Sequence, residues 1–378
     1  MKVLIAIDSF KGCLSSIEVS DSIEKGIKEV YPDAQIKKLP IADGGEGTVE
    51  SFLTSFGGKK TQVTVHDPLM RKRKAIYGIL GDNTAVIEMA EAAGLTLLTK
   101  AEYNPLITTT FGVGELILDA ISRGCRNFII GLGGSATNDA GVGMLQALGY
   151  KFFDEKHQEL NGCGKSLKCV KYIDADNVPS VLQECQFEVL CDVKNPLYGY
   201  NGASYVYAAQ KGADEAMIVE LDEGLQNFAQ VVKEHFGKDY AHYEGSGAAG
   251  GLGFAFLTFL KAKLVNGIDL LLNKLNLETI IPNFDVIITG EGKMDYQSLM
   301  GKVPYGVTKL GKKYNIPVIG LCGGLMEEAY AMHDIGMTAL FSIMNYPMSL
   351  EEAMNKDIAK ALIANNTREI FRLFKTLK

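Results

Sequence analysis

Gly131-Leu132-Gly133-Gly134-Ser135-Ala136-Thr137-Asn138-Asp139-Ala140-Gly141-Val142-Gly143 is the stretch from which the rest of the chain can be read. Before it, Phe128-Ile129-Ile130 reads as the end of a buried strand; after it, Val142, Met144, Leu145 and Leu148 recur on one helical face. Strand, glycine turn and helix start in that order make an α/β unit. Glycines tolerate positive φ and let backbone come close to a neighbour, and the N–H groups of a first helical turn attract anions. Ser135, Thr137, Asn138 and Asp139 add hydroxyl, amide and carboxylate groups at the same place. Taken alone, the glycines suit a tight turn with an N-cap. Related loops elsewhere in the chain add a second reading, a seat for phosphate and its metal.

The 378 residues are 47% hydrophobic and 22% charged, which predicts about two domains, each with a real core. A formal net charge of −7 leaves no electrostatic footprint for nucleic acid or an anionic membrane. Met1-Lys2 runs directly into Val3-Leu4-Ile5-Ala6-Ile7, an apolar run too short for a signal sequence or a membrane span, so a cytoplasmic location is expected. The cysteines at 13, 125, 163, 169, 185, 191 and 322 form no C-x-x-C and share no ligand spacing with the histidines, so reduced, mostly buried thiols are expected. His-x-x-x-His, G-x-S-x-G and G-x-x-x-x-G-K-[ST] are absent, which argues against a zinc hydrolase, a serine esterase and a P-loop enzyme.

Residues 3–7 read as a strand buried on both faces, followed by Asp8-Ser9-Phe10-Lys11-Gly12. Ser15 and Glu18 make a capping box ahead of the stripe Val19, Ile23, Ile27, Val30. A second strand, 36–39, leads into Asp43-Gly44-Gly45-Glu46-Gly47 and a further helix. From about residue 60 the texture turns antiparallel, with alternation over 61–65 and a partner at 75–80. Strand 85–87, a helix capped near Thr108-Thr109-Thr110, a hairpin over 152–160, strand 187–190 and a long amphipathic helix follow. Gly245-Ser246-Gly247-Ala248-Ala249-Gly250-Gly251 then opens another helix, where small residues serve either a ligand or close packing. The last hundred residues return to βαβ alternation, with strands at 285–288, 317–321 and 338–342 and a loop over 289–298. Two strands at one end and three at the other predict a five-stranded, flavodoxin-like, doubly wound α/β domain from residues 1–59 and 281–378. A mixed α/β domain, 60–280, is inserted in it, with a cleft and hinge expected between the two.

Loops at Asp8, Asp43, Gly131, Gly245 and Thr289 combine glycine with acid or hydroxyl groups. Glu291 and Asp295, with Lys293 between them, can hold Mg²⁺ through oxygen ligands, although a solvated turn has the same composition. Phosphoryl transfer needs such a metal, cations and a carboxylate to take the acceptor's proton. Lys11, Lys211 and Lys302 are the candidate cations.

These segments, with Cys191-Asp192-Val193, Asn195-Pro196-Leu197, Gln210-Lys211-Gly212-Ala213, and Thr289-Gly290-Glu291-Gly292 followed by Asp295, Gln297, Ser298, Gly301 and Lys302, stand in an order that resembles the glycerate kinase family that includes bacterial glycerate 2-kinases. The resemblance spans nearly the whole chain. It implies ATP-dependent, Mg²⁺-requiring phosphorylation of D-glycerate to a phosphoglycerate, with O2 favoured over O3 as acceptor. Departures from the family pattern fall at Met70, Phe111, Val113, Lys194 and Lys293 and bear on substrate fit.

Site expectations follow. Ser9 and Lys11 grip the glycerate carboxylate; the loops with Gly133, Gly134, Ser135, Thr137, Asn138 and Asp139, and with Gly247, Gly250 and Gly251, approach the ATP phosphates. Asp192, Glu291 and Asp295 form the pool for metal ligand and general base, not assigned among themselves. Asp43 and Glu46, beside Gly44 and Gly45, complete the metal's outer shell or orient a lysine; Lys211, Ser298 and Lys302 complete the binding set. A kinase for another hydroxy acid and a non-catalytic sensor of a small phosphorylated acid are the rival readings, and the oligomeric state is left open.

Overall fold

The computed structural model describes residues 1–41 and 44–376. The chain divides into two units, Met1–Asp43 with Asn266–Lys378, and Gly44–Val265. Each crossing therefore lies earlier in the chain than the 59/60 and 280/281 boundaries expected above. The helix Thr48–Phe56 belongs to the second unit, and the helix Gly267–Lys274 to the first.

In the first unit five strands pair in the order Ala339–Ser342, Val318–Leu325, Val286–Met294, Lys2–Ile7, Gln35–Pro40, and every pairing is parallel. Parallel strands need crossovers and are covered on both faces, so Lys2–Ile7 is buried from Val3 onward. Ser15 caps the helix Ser16–Val30 with the reciprocal Glu18 bond, and the stripe Val19, Ile23, Ile27 and Val30 is buried. Near the end of the chain Ser349 caps only the short helix Leu350–Ala353, and Lys356–Thr376 is a separate helix.

A larger departure bears on the site. Strand Val286–Met294 continues well beyond residue 288, so Glu291 lies within a strand and not in a loop. Gly290 allows this. It pairs with Leu321, and a Cβ there would sit 1.8 Å from the Leu321 carbonyl oxygen.

The second unit holds a six-stranded mixed sheet in the order Lys263–Val265, Gln186–Leu190, Asn127–Gly131, Thr84–Glu88, Lys72–Leu80, Gly58–His66. The first four run parallel and the last two form the antiparallel hairpin read from the alternation. The expected hairpin at 152–160 is replaced: Lys151–Phe153 pairs with Tyr172–Asp174, leaving a single bridge from Phe153 to Glu159. No disulfide forms among the cysteines, five of which are buried, and no helix among the described residues is long and apolar enough to cross a membrane.

Replacing Gly290 by alanine forces the two strands apart next to Glu291, and a loss of about 2 kcal/mol in unfolding free energy is expected from urea titration.

Candidate functional site

The carboxyl ends of Lys2–Ile7 and Val286–Met294 are neighbours in the first unit, and ligands of open parallel sheets bind beyond such ends. A cavity of about 610 Å³ opens there, lined at one end by Asp8, Ser9, Lys11, Glu291, Asp295 and Lys302. Asp8 is 2% exposed and accepts the Ser9 N–H at 2.6 Å, while its own N–H donates to the Gly290 carbonyl. Backbone bonds between Phe10 and Leu14 close the turn in between. The Ser9 hydroxyl is buried and has no hydrogen-bond partner, a group placed to receive a ligand.

Opposite this turn the carboxylates are already engaged. Glu291 accepts from the Ser298 hydroxyl at 2.5 Å and from Lys302 Nζ at 3.3 Å. Asp295 caps the short 3₁₀ turn Tyr296–Met300: its carboxylate accepts the Gln297 N–H, and its own N–H donates to Ser298 Oγ. Lys293 lies 3.1 Å from Asp295, as Lys302 lies 3.3 Å from Glu291, so each carboxylate is ion-paired with a lysine. Burial tends to raise the Asp295 carboxyl, but the bonds from Lys293 and the Gln297 N–H prevail and hold it below the usual range. Among the described residues no group of three or more His, Cys, Asp and Glu side chains is placed to hold a metal. Mg²⁺ is usually held by one or two carboxylates together with substrate phosphates, and Glu291 and Asp295 suit that arrangement. Asp192 is exposed in the second unit, just beyond Gln186–Leu190.

In the second unit Glu88, Gly131 and Leu190 stand in register at the strand ends. The glycine loops there pack backbone on backbone. Gly133 N–H donates to the Gly44 carbonyl, and Ala140 N–H to that of Gly250. A Cβ on Gly133 would lie 2.6 Å from Gly45 Cα, and one on Gly250 2.0 Å from the Thr137 carbonyl oxygen. Gly247, Gly250 and Gly251 are buried, and the closeness of neighbouring backbone shows that these glycines serve loop packing. Gly134 is exposed and Gly133 and Ser135 are partly so. Glu46 is exposed, and Asp43 lies outside the described residues.

The expectation that the helix start following this loop attracts a ligand anion is overturned. The helix is the six-residue Val142–Ala147, and its anion is the protein's own Asp139. That fully buried carboxylate accepts from Thr110 N–H and Oγ1, Gly141 N–H and Gly143 N–H. The Met144 N–H goes to the Thr110 hydroxyl. Lys211 is likewise 2% exposed; its ammonium donates to Ser135 Oγ at 2.8 Å and to the Thr137 carbonyl at 2.7 Å. Burial pushes its pKa down to about 7, opposed by the nearby Asp139. Asp139 and Lys211 thus brace the loop from inside, while Asn138 donates to Ser204.

Glu88 was not among the expected residues. Its signal was a charge directly after the apolar residues 85–87, at a strand's carboxyl end. Helix Thr48–Phe56 has Gly47 at its N-cap and no side-chain cap from its own segment; the Glu88 carboxylate takes the Val49 N–H at 2.8 Å instead. Burial pushes Glu88 up to about 7, with Glu91 and Glu46 adding to the rise and backbone N–H groups opposing it.

Native Glu88 therefore holds its proton to higher pH than the unfolded chain, whose ordinary value is 4.5. Its contribution to stability is complete below 4.5 and lost as pH rises through about 7. Thermal melts of Glu88→Gln should show a smaller fall in Tm between about pH 5 and about pH 7 than the parent protein. Asp139→Asn removes a buried acceptor of four donated bonds, and chemical denaturation should register a loss of about 3 kcal/mol.

Residues 3–375 match the model of the glycerate kinase family. The chain is 48% identical over 354 residues to a glycerate 2-kinase of Escherichia coli K12, covering 93% of each chain. It is 44% identical to a glycerate kinase of Bacillus subtilis 168, over 100% of this chain and 99% of that one. A crystal structure of a putative glycerate kinase 2 from Salmonella typhimurium LT2 superposes with a TM-score of 0.88 at 41% identity, covering 100% of this chain and 98% of the other. The chain belongs to the glycerate kinase family, and the protein is an enzyme of the kinase class.

Proposed function

We propose that this enzyme transfers the terminal phosphoryl group of ATP to D-glycerate in the presence of Mg²⁺, giving 2-phosphoglycerate. The observation that carries the reading is the cavity of the first unit, where an unpartnered buried hydroxyl, three lysines and three carboxylates share one lining. The strand order of that unit, 2-1-3-4-5 when its strands are counted by themselves, supports describing it as flavodoxin-like.

Ser9 and Lys11 hold the glycerate carboxylate, the hydroxyl donating and the ammonium supplying charge. Asp295, kept ionised by Lys293 and the Gln297 N–H, accepts the proton of the attacking hydroxyl. Glu291, the more buried of the pair, orients Lys302 toward the charge that develops on the transferred group. Asp192 is the alternative carboxylate for the duties of base or metal ligand. Mg²⁺, when bound, neutralises phosphate charge and screens the acceptor from repulsion. In the second unit, residues 133–135 offer the accessible backbone of the glycine loop to a phosphate, and Thr137, Asn138, Asp139 and Lys211 keep its shape.

Incubation with ATP, Mg²⁺ and a panel of hydroxy acids, followed by ADP assay and ³¹P NMR of the product, tests the substrate and the acceptor oxygen together. D-glycerate should be preferred and the phosphorus should appear on O2; preference for another acid, or a 3-phosphoglycerate product, overturns that part. Asp295→Asn should lower kcat by about 100-fold with an unchanged melting temperature, and near-parental turnover would remove it as the base.

A further inference from the structure

The cavity of the first unit has a second end with a different chemistry. Phe10, Ile343, Met344, Met348, Leu350 and Met354 line it. Leu350 is 79% exposed, Met344 39% and Met354 38%, an unusual grouping of large apolar side chains at the mouth of a cleft. Methionine is flexible and polarisable, and its sulfur makes favourable contacts with aromatic rings.

Size points the same way. A volume of about 610 Å³ belongs to the range of ligands far larger than a three-carbon acid, roughly 300–1,000 Å³. A ligand filling it meets Lys11, Lys293 and Lys302 beside three carboxylates at one end and apolar side chains at the other, which suits a group that carries both charge and an apolar body. The two ends are held together: at Gly12, whose φ is 76°, a Cβ would come within 3.1 Å of Met354 Cε, so the methionine shelf rests on the turn that carries Ser9 and Lys11.

We infer that this methionine-lined end is the seat of the adenine ring of ATP, with the nucleotide's phosphates directed toward Lys293 and Lys302. The inference rests on the reading of the enzyme as an ATP-dependent kinase. Binding energy from the ring then positions a phosphoryl group that the lysines by themselves would hold loosely.

The double variant Met344→Gln with Leu350→Gln tests it, because both side chains are largely outside the core and their replacement leaves the fold intact. Equilibrium binding to the parent and the variant is measured by calorimetry in Mg²⁺ for ATP and for inorganic tripolyphosphate, which has the charge but no base. The parent should prefer ATP, and the variant should lose about tenfold in ATP affinity while holding tripolyphosphate within about twofold. Unchanged ATP affinity, or equal weakening of both ligands, overturns the assignment. The outcome is separable from the proposed reaction. Phosphorylated glycerate with undiminished ATP binding by the variant discards the adenine seat alone, whereas base-dependent binding without glycerate turnover discards the reaction alone.

Discussion

A carboxylate removed from water must find its donors inside the protein, and both units are built around one. Asp139 takes four donated bonds from two segments far apart in sequence, residues 110 and 141–143. Glu291 takes a hydroxyl and an ammonium from residues 7 and 11 positions further on. The surroundings differ between them. Around Asp139 the N–H groups of Thr110, Gly141 and Gly143 are taken up by the carboxylate; around Glu291 the surrounding groups line a cavity.

That difference reorders the candidate site. Glycine-rich loops invite a phosphate reading, and here most of their glycines answer to neighbouring backbone. The closeness of Gly133 to Gly45 and of Gly250 to the Thr137 carbonyl leaves no room even for a methyl group. In the first unit, Ser9, Lys11, Asp295 and Lys302 line one cavity with Glu291. Lys211, a plausible phosphate cation by its residue type, is a buried brace because its ammonium reaches Ser135 and Thr137 first.

Membership of the glycerate kinase family and the geometry of this cavity are independent arguments. The family narrows the chemistry to a kinase. Both carboxylates of the cavity are ion-paired, Glu291 with Lys302 and Asp295 with Lys293, and Glu291 is the more buried. Glu88 adds a support that neither motif nor family pattern singled out, joining a strand end to the start of helix Thr48–Phe56.

Periodicity made the strands at 3–7, 36–39, 85–87 and 187–190, the Ser15–Glu18 cap and the antiparallel hairpin legible in advance, because local burial repeats every two or 3.6 residues. The same patterns stopped strand Val286–Met294 too early: Gly290 and Glu291 lack the apolar signature, and only the pairing with Val318–Leu325 extends it. The candidate carboxylates, lysines and Ser9 were legible as residue types at strand ends. By itself the sequence determined the order of elements, the α/β class and the pool of groups able to do phosphoryl chemistry. Only the tertiary structure decided which of those groups face a cavity and which are consumed by a partner, because the partners of Asp139 and Lys211 lie tens of residues away and no local pattern records distance in space.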